Sequence, residues 1–133
     1  MRLSRKSEYA FLALIDLAEN FSEGPVKMIN ISERKNIPKK FLEQILLQLK
    51  TAGLVKSIRG ANGGYALAKK PSEIHLAQVI RLFDGPLGSV QSVSKYFYES
   101  TPIEQNQKLL TIFKDIRDYV SDKMENTTIE DLL

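Results

Sequence analysis

The sequence predicts a mainly α-helical fold with one small β-hairpin, and three observations support this prediction. Apolar residues recur three and four positions apart in several stretches of the 133-residue chain. Between residues 55 and 67 the period changes to two, around a glycine-rich stretch that leads to two lysines. A long amphipathic stretch with a helix-start signal then occupies the last third of the chain.

The first three helices are predicted from their caps and apolar spacing. The first helix begins after Ser4, whose hydroxyl can cap it, and it ends near Asn20. It has apolar residues on nearly every side. A short segment over residues 29–36 follows, and Pro38 then opens a helix in its first turn, where the missing N–H costs nothing. Two helices joined by a tight turn, the second lysine-rich at its start, form a helix-turn-helix pattern. The apolar positions of the second one stop at Gly53 and are Phe41, Leu42, Ile45, Leu46 and Leu49.

The glycine-rich stretch is predicted to be the tip of a β-hairpin. Val55, Ser57 and Arg59 alternate with their neighbours, and Asn62-Gly63 is a dipeptide typical of a two-residue turn. Phosphate-binding glycine loops lead into a helix, whose N-terminus holds the anion, whereas these glycines lie between two strands. A hairpin that follows a helix-turn-helix is a wing, so the sequence predicts a winged helix-turn-helix.

Two further helices are predicted beyond the wing. The fourth runs from Leu76 and ends at residues 84–86, Asp-Gly-Pro. Residues 101–104, Thr-Pro-Ile-Glu, form a capping box for a long helix, and residues 127–130, Thr-Thr-Ile-Glu, cap a last short helix that ends at Leu133. The apolar seam of the long helix resembles a coiled-coil stripe, although it could instead face the protein's own core; it consists of Leu109, Phe113, Ile116 and Val120.

Composition and charge restrict the function. The chain has 43% hydrophobic residues, no cysteine and one histidine, so it offers little material for a metal centre or for acid–base catalysis, and we expect no enzyme. It has no long charge-free apolar run, which predicts a soluble, cytoplasmic protein. Residues 1–70 carry 13 Lys and Arg against 6 Asp and Glu, whereas residues 71–133 carry 6 against 10. Unless this clustering is chance, the first half binds a polyanion.

The motifs Leu42-Glu-Gln, Gly53-Leu-Val and Arg59-Gly-x-x-Gly-Gly-Tyr65, together with Tyr9-Ala, are highly specific at these spacings. On these residues the chain resembles the Rrf2 family of bacterial winged-helix transcription regulators over almost its whole length. The family includes the iron–sulfur cluster regulator, the nitric-oxide-sensitive repressor and the cysteine-metabolism repressor. The resemblance implies a homodimer in which the long helix crosses its twin and two winged domains read a palindrome-like site on double-stranded DNA. It divides the chain into a DNA-binding domain (1–86), a connector (87–101) and a dimerisation region (102–133).

The residues expected to contact DNA lie at the helix from Pro38, at the wing and at the first helix. Gln44 can pair with adenine, and Glu43 can accept from cytosine or repel a wrong phosphate. Arg59 would enter the minor groove or clamp a phosphate, while Phe41 could equally belong to the core. The other candidates are the helix-start residues Ser4, Lys39 and Lys40 and the wing glycines Gly60, Gly63 and Gly64.

Many members of the resembled family hold an iron–sulfur cluster through cysteines, and this chain departs from that pattern. Residues 87–104 contain serines and tyrosines, which are poor cluster ligands, so we expect no cofactor. If a small-molecule or protein effector exists, the aromatic stretch Tyr96-Phe-Tyr98 and its groove against the long helix are the candidate place, unless these aromatics belong to the core. The alternative function is a winged-helix module for protein–protein docking.

Overall fold

The computed structural model describes residues 2–87, 91–94 and 98–133, and it confirms the mainly helical fold with one hairpin. Ser89, Tyr96 and Phe97 of the predicted connector lie outside the described residues. No helix in the described ranges is both long and apolar enough to cross a membrane. In chain order the elements are α1 (Arg5–Glu19), α2 (Met28–Lys35), α3 (Lys39–Thr51), β1 (Val55–Ile58), β2 (Gly64–Leu67), α4 (Leu76–Asp84) and α5 (Gln107–Glu125).

The predicted boundaries of α1 are confirmed because local hydrogen bonds determine them. The Ser4 hydroxyl oxygen accepts the amide hydrogen of Ser7, which satisfies one of the unpaired donors of the first turn. Asn20 ends the helix, and its amide and side chain both donate to the carbonyl of Asp16. One apolar stripe of α1 is fully buried, so the helix passes through the centre of the molecule.

The helix-turn-helix is formed by α2 and α3. Asn36 has φ +52°, a left-handed conformation that Asn tolerates, and it turns the chain sharply between the two helices. Pro38 is the N-cap of α3 and not a residue of its first turn, so that prediction was off by one position. Arg34 of α2 makes two hydrogen bonds of 2.8 and 2.9 Å to the buried carboxylate of Asp16, which ties α2 to α1.

A single main core joins the three N-terminal helices, the wing and the last residues of the chain. Side chains that recur three and four positions apart on α3 pack against α1 and α2 because they form one face of the helix. This packing fixes the orientation of the opposite face of α3. The fully buried large side chains are Leu14, Leu17, Ile31, Ile37, Leu42, Ile45, Leu46, Leu49, Ile74, Val79, Ile80 and Ile129.

The wing is an antiparallel hairpin, but its predicted turn was wrong. The register pairs Ile58 with Gly64, so residues 59–63 form a longer connection in place of a two-residue turn at Asn62-Gly63. The positive φ angle lies at Gly60 (+109°), and the Gly63 amide donates to the Gly60 carbonyl at 3.0 Å. Sequence alone could not show this, because the register depends on a third strand position, Val26, which exchanges hydrogen bonds of 2.8 and 2.7 Å with Tyr65.

The start of the long helix also differs from the prediction. Helix α5 begins at Gln107, capped by Asn106, whose side-chain oxygen accepts the amide hydrogen of Leu109 at 3.0 Å. The predicted capping box at residues 101–104 forms a separate 3-10 turn. The Glu104 carboxylate accepts hydrogen bonds from Tyr98 and Ser100, so it is not available to cap the long helix.

The C-terminal residues return to the N-terminal half. The amide of Leu76 donates to the carbonyl of Thr127 at 2.9 Å, and the amide of Ile129 donates to Ile74 at 2.9 Å. Ile129 is fully buried in the main core. The predicted cap of the last short helix was wrong by one residue, because Thr128 and Asp131 bond each other there. The two ends of the chain therefore share one core. The division into residues 1–86, 87–101 and 102–133 stays a prediction about the function of each segment.

Candidate nucleic-acid interface

The outward face of α3 carries most of the predicted DNA-contacting side chains. Lys39, Lys40, Glu43 and Gln44 are all exposed, opposite the face that packs on α1 and α2. The first two begin the helix, and the other two lie one turn further on. A short amphipathic helix held this way can enter the major groove of B-DNA with these side chains toward the base edges.

A groove of about 450 Å³ lies between this face and the wing. Three of its lining residues, Leu47, Lys50 and Tyr65, were not predicted as site residues. The signal for Leu47 was present, because it stands three residues after Gln44 and outside the set of apolar residues that the core absorbs. The groove therefore mixes two cations, one carboxylate, an amide, an aromatic ring and one aliphatic side chain.

Phe41 lies at the edge of this face. It is 42% exposed, and its ring centre is 5.9 Å from that of Tyr9, with the ring planes tilted by 46°. Such a tilted aromatic pair stabilises the contact between α1 and α3. The structure thus gives Phe41 a packing partner on one side and leaves the other side open, so its contact with DNA stays a prediction.

The wing tip brings together Arg59 and the three glycines. Arg59 is exposed in the connection between the strands. A Cβ atom built on Gly63 would lie 2.0 Å from the carbonyl oxygen of Ile58, so only glycine fits there. A side chain at Gly60 would meet nothing within 4 Å, but its φ of +109° favours glycine. The glycines therefore shape a tight tip that presents Arg59 outward.

Charge on this surface is predominantly positive and uncompensated. Within the described parts of the chain, Lys39, Lys40, Lys50 and Arg59 form no ion pair, whereas the ion pairs that do form lie elsewhere. Lysines and arginines without an acidic partner are what a polyanion requires, since each can neutralise one phosphate and release a counterion. Glu43 is the one acidic side chain in the groove.

Ser4 is held by the far end of α4. The Asp84 carboxylate accepts the Ser4 amide hydrogen at 3.0 Å and the Ser7 hydroxyl at 2.6 Å. A carboxylate at the N-terminus of α1 is also favoured by the helix dipole. The amide of Ser4 is therefore engaged, and a phosphate contact of Ser4, which stays a prediction, could use only its hydroxyl proton.

Replacing Asp84 by asparagine is expected to destabilise the protein by about 1 kcal/mol at pH 7. Burial acts to raise the pKa of the Asp84 carboxyl, but the hydrogen bonds from Ser4 and Ser7 outweigh it and hold that pKa below its ordinary value. A lowered pKa in the folded state means that the stabilisation is present at neutral pH and is lost as the pH falls through it. The difference should therefore shrink below about pH 4.

Urea denaturation at several pH values measures this difference. Asp115→Asn is the matched control, because Asp115 is exposed on α5 and has no hydrogen-bonding or ionic partner within the described ranges. A loss for Asp84→Asn that is the same at pH 3 and pH 7 would contradict the charge-dependent role of Asp84.

The predicted seam of α5 is divided between two environments. Leu109 and Ile116 are 40% and 44% exposed. Phe113 and Val120 are partly buried, and Val120 packs against a second small core of Ala77, Ile80 and Leu87. Two apolar side chains of α5 outside the predicted seam, Ile112 and Tyr119, are more exposed, at 54% and 76%. The exposed apolar stripe of α5 therefore consists of Leu109, Ile112, Ile116 and Tyr119.

Comparison with known proteins identifies the family to which this chain is similar. Residues 3–133 match the model of the family Rrf2, described as an iron-dependent transcriptional regulator. The HTH-type transcriptional regulator CymR of Bacillus subtilis is 36% identical over 132 residues, 99% of this chain and 89% of the relative. The regulator IscR of Pectobacterium atrosepticum is 35% identical over all of this chain and 79% of its own length. The solved structure of CymR, described as the global cysteine regulator of B. subtilis, superposes with a TM-score of 0.80 at 35% identity, covering 99% of this chain and 95% of that one.

The residues of this chain do not fit a thiolate-held iron centre. The full sequence contains no cysteine and a single histidine. In the part of the chain that the structure describes, no three His, Asp or Glu side chains are grouped as metal ligands. Iron–sulfur clusters require cysteine thiolates, with histidine as a partial replacement. The iron dependence in the family description therefore has no counterpart among these side chains.

Proposed function

The chain belongs to the Rrf2 family of transcriptional regulators, and from this premise we propose that it is a homodimeric repressor that reads a palindrome-like site on double-stranded DNA. Regulators of this family are not enzymes, and DNA-binding regulation of transcription follows from the membership itself. The finer statements are the proposal: the dimer, the repressing role, the residues that read the DNA, and activity without an iron–sulfur cluster.

The single observation that supports sequence reading most is the polar outward face of α3 beside the wing. Gln44 is exposed at the centre of that face, where its amide can bond both edge atoms of an adenine. Lys39 and Lys40 begin the same helix and Arg59 stands at the wing, and these unpaired cations can hold phosphates. Phosphate contacts orient the protein on the duplex, and the contact of Gln44 would give the sequence preference.

The exposed apolar stripe of α5 supports the homodimer. Four large side chains stand on one face of a 19-residue helix, at spacings of three and four, without a covering element in the described parts of the chain. Soluble proteins rarely leave a continuous apolar stripe in water. A two-fold axis that pairs this stripe with its copy buries it and places two α3 helices on two half-sites.

The proposed repressing role requires a recognised site that overlaps a promoter. A dimer that binds a site overlapping a promoter excludes polymerase without any further contact. Release would need a signal, and the proposed place for a small-molecule or protein effector is the region around Tyr98. That side chain is 62% exposed, and its hydroxyl donates to the Glu104 carboxylate at 2.6 Å, just before α5.

The proposal is tested by fluorescence anisotropy on the duplex upstream of the protein's own gene, beside a scrambled duplex of equal length, with salt titrated in both. A specificity ratio above roughly 1,000 with a steep dependence on salt is expected for a reader of sequence. Equal weak binding to both duplexes would call for selection from random duplexes. Absence of binding at low salt would contradict the proposal and favour a protein-docking module.

Two variants distinguish base recognition by Gln44 from phosphate contact by Arg59. Gln44→Ala is expected to lower the specificity ratio about tenfold per half-site, hence about 100-fold for the dimer, while affinity for scrambled DNA stays unchanged. Arg59→Ala should instead weaken binding to both duplexes and reduce the log–log salt slope by about 1 per protomer, hence by about 2 for the dimer. Lys114→Ala, at an exposed lysine on α5 away from the apolar stripe, is the matched control and should leave both quantities unchanged. Equal behaviour of the Arg59 and Lys114 variants would remove the wing from the interface.

A further inference from the structure

Leu47 is the most prominent apolar side chain on the outward face of α3. It is 64% exposed, while Leu46 and Leu49 on the same helix are fully buried. It stands three residues after Gln44 and four after Glu43, so the three side chains lie on one face of the helix. A single exposed leucine is common on protein surfaces and would not by itself indicate a function.

The surroundings of Leu47 are what indicate a function. The groove that it lines contains Lys40 on one side and Lys50 on the other, and neither lysine has an ionic partner in the described residues. The wing residue Tyr65 forms another wall of this groove. Leu47 is thus an open apolar spot on a surface that carries two unpaired cations and one carboxylate, that of Glu43, beside the wing.

This pattern complements one surface in particular. The major groove of DNA has anionic phosphates along both rims and, between them, one kind of exposed apolar group, the C5-methyl of thymine. An apolar patch on a partner protein would match Leu47, but it would leave the charge of Lys40 and Lys50 without compensation. The occupant that satisfies both features is a thymine in the major groove.

We infer that Leu47 is a specificity-determining residue that packs against the C5-methyl group of a thymine in the recognised site. The inference rests on the DNA-reading function proposed above and adds to it. Along the helix axis, Leu47 lies about 4.5 Å beyond Gln44. Successive bases of one DNA strand are roughly 3.4 Å apart, so the two side chains are separated by about one base step. The thymine therefore lies at a base pair next to the adenine read by Gln44, once in each half-site.

The test removes only the methyl group. A duplex is first selected from random sequences with the wild-type protein. A series of variant duplexes then carries deoxyuridine in place of thymine, each at one pair of symmetry-related positions. Binding is measured by anisotropy. Loss of one buried methyl should weaken binding about fourfold per half-site, hence about fifteenfold for a symmetric pair. One pair of positions should show this loss for the wild type, whereas Leu47→Ala should bind the thymine and deoxyuridine duplexes equally there.

The control is Leu12→Ala, an exposed leucine of α1 away from the groove, which should keep the wild-type preference for thymine. If the wild type prefers its selected duplex strongly but no deoxyuridine pair weakens binding, the inference about Leu47 is wrong and the DNA-reading function stands. The same conclusion follows if Leu47→Ala keeps the full preference. If selection yields no duplex bound better than a scrambled one, the DNA-reading function itself fails, and the inference fails with it.

Discussion

Replacing Gly64 by alanine is expected to lower the free energy of unfolding by about 3 kcal/mol. A Cβ atom built there would lie 2.4 Å from the carbonyl oxygen of Val26 and 2.6 Å from its carbonyl carbon. Both atoms are backbone, so neither can rotate away, and the chain around Val26 has to move. That movement would break the two hydrogen bonds that Val26 and Tyr65 exchange. In a chain of this size the melting temperature should fall by about 10 °C.

Gly60→Ala is the matched control for this prediction. Gly64 has φ +153° and Gly60 has φ +109°, so both have a positive φ, but a Cβ atom at Gly60 would meet nothing within 4 Å. Its cost is backbone strain alone, about 1 kcal/mol. Urea denaturation of both variants, followed by circular dichroism, measures the difference. Equal stability of the two variants would mean that the wing moves away from Val26 without penalty, which contradicts a stabilising role for the Val26–Tyr65 bridge.

Features that depend on neighbouring residues were predictable from the sequence. The cap at Ser4, the end of α3 before Gly53 and the end of α4 at Gly85 all follow from short-range hydrogen bonds or from a positive φ that glycine accepts. The exposure of Lys40 and Gln44 follows in the same way, because the core side chains of α3 recur at helical spacing and leave one face outward.

Features that depend on distant residues were not predictable. The hairpin register depends on Val26, about 40 residues before its partner Tyr65 in the chain. The start of α5 was missed although its determinants are near in sequence, because Tyr98 and Ser100, six and four residues before Glu104, engage the carboxylate that a capping box would need. Leu47 was missed for a different reason. Its spacing already leaves it outside the core positions of α3, but a single exposed apolar side chain does not by itself indicate a contact, and only the packing shows that it lines a groove with the wing.

Placing charges on the apolar stripe of α5 is expected to have the largest functional effect. The double change Ile112→Asp and Ile116→Asp puts two carboxylates on a face that the proposed dimer buries, and unpaired charges are strongly disfavoured at such a contact. The protein should become a folded monomer, because both side chains are about half exposed within one chain. A monomer contacts one half-site only, so affinity for the palindrome-like site should fall at least about 100-fold.

Sedimentation equilibrium gives the mass of the variant, circular dichroism its helix content, and anisotropy its affinity for DNA. Thr111→Asp is the control, since Thr111 is exposed on the same helix but outside the stripe, and it should leave the mass and the affinity unchanged. The three measurements discriminate between the two explanations for an exposed stripe. A double variant that keeps the dimer mass would show that two copies meet elsewhere, whereas a monomer with undiminished affinity would show that pairing through α5 is not needed for DNA binding. Loss of mass and of affinity together, with helix content preserved, is the outcome that the two-fold arrangement requires.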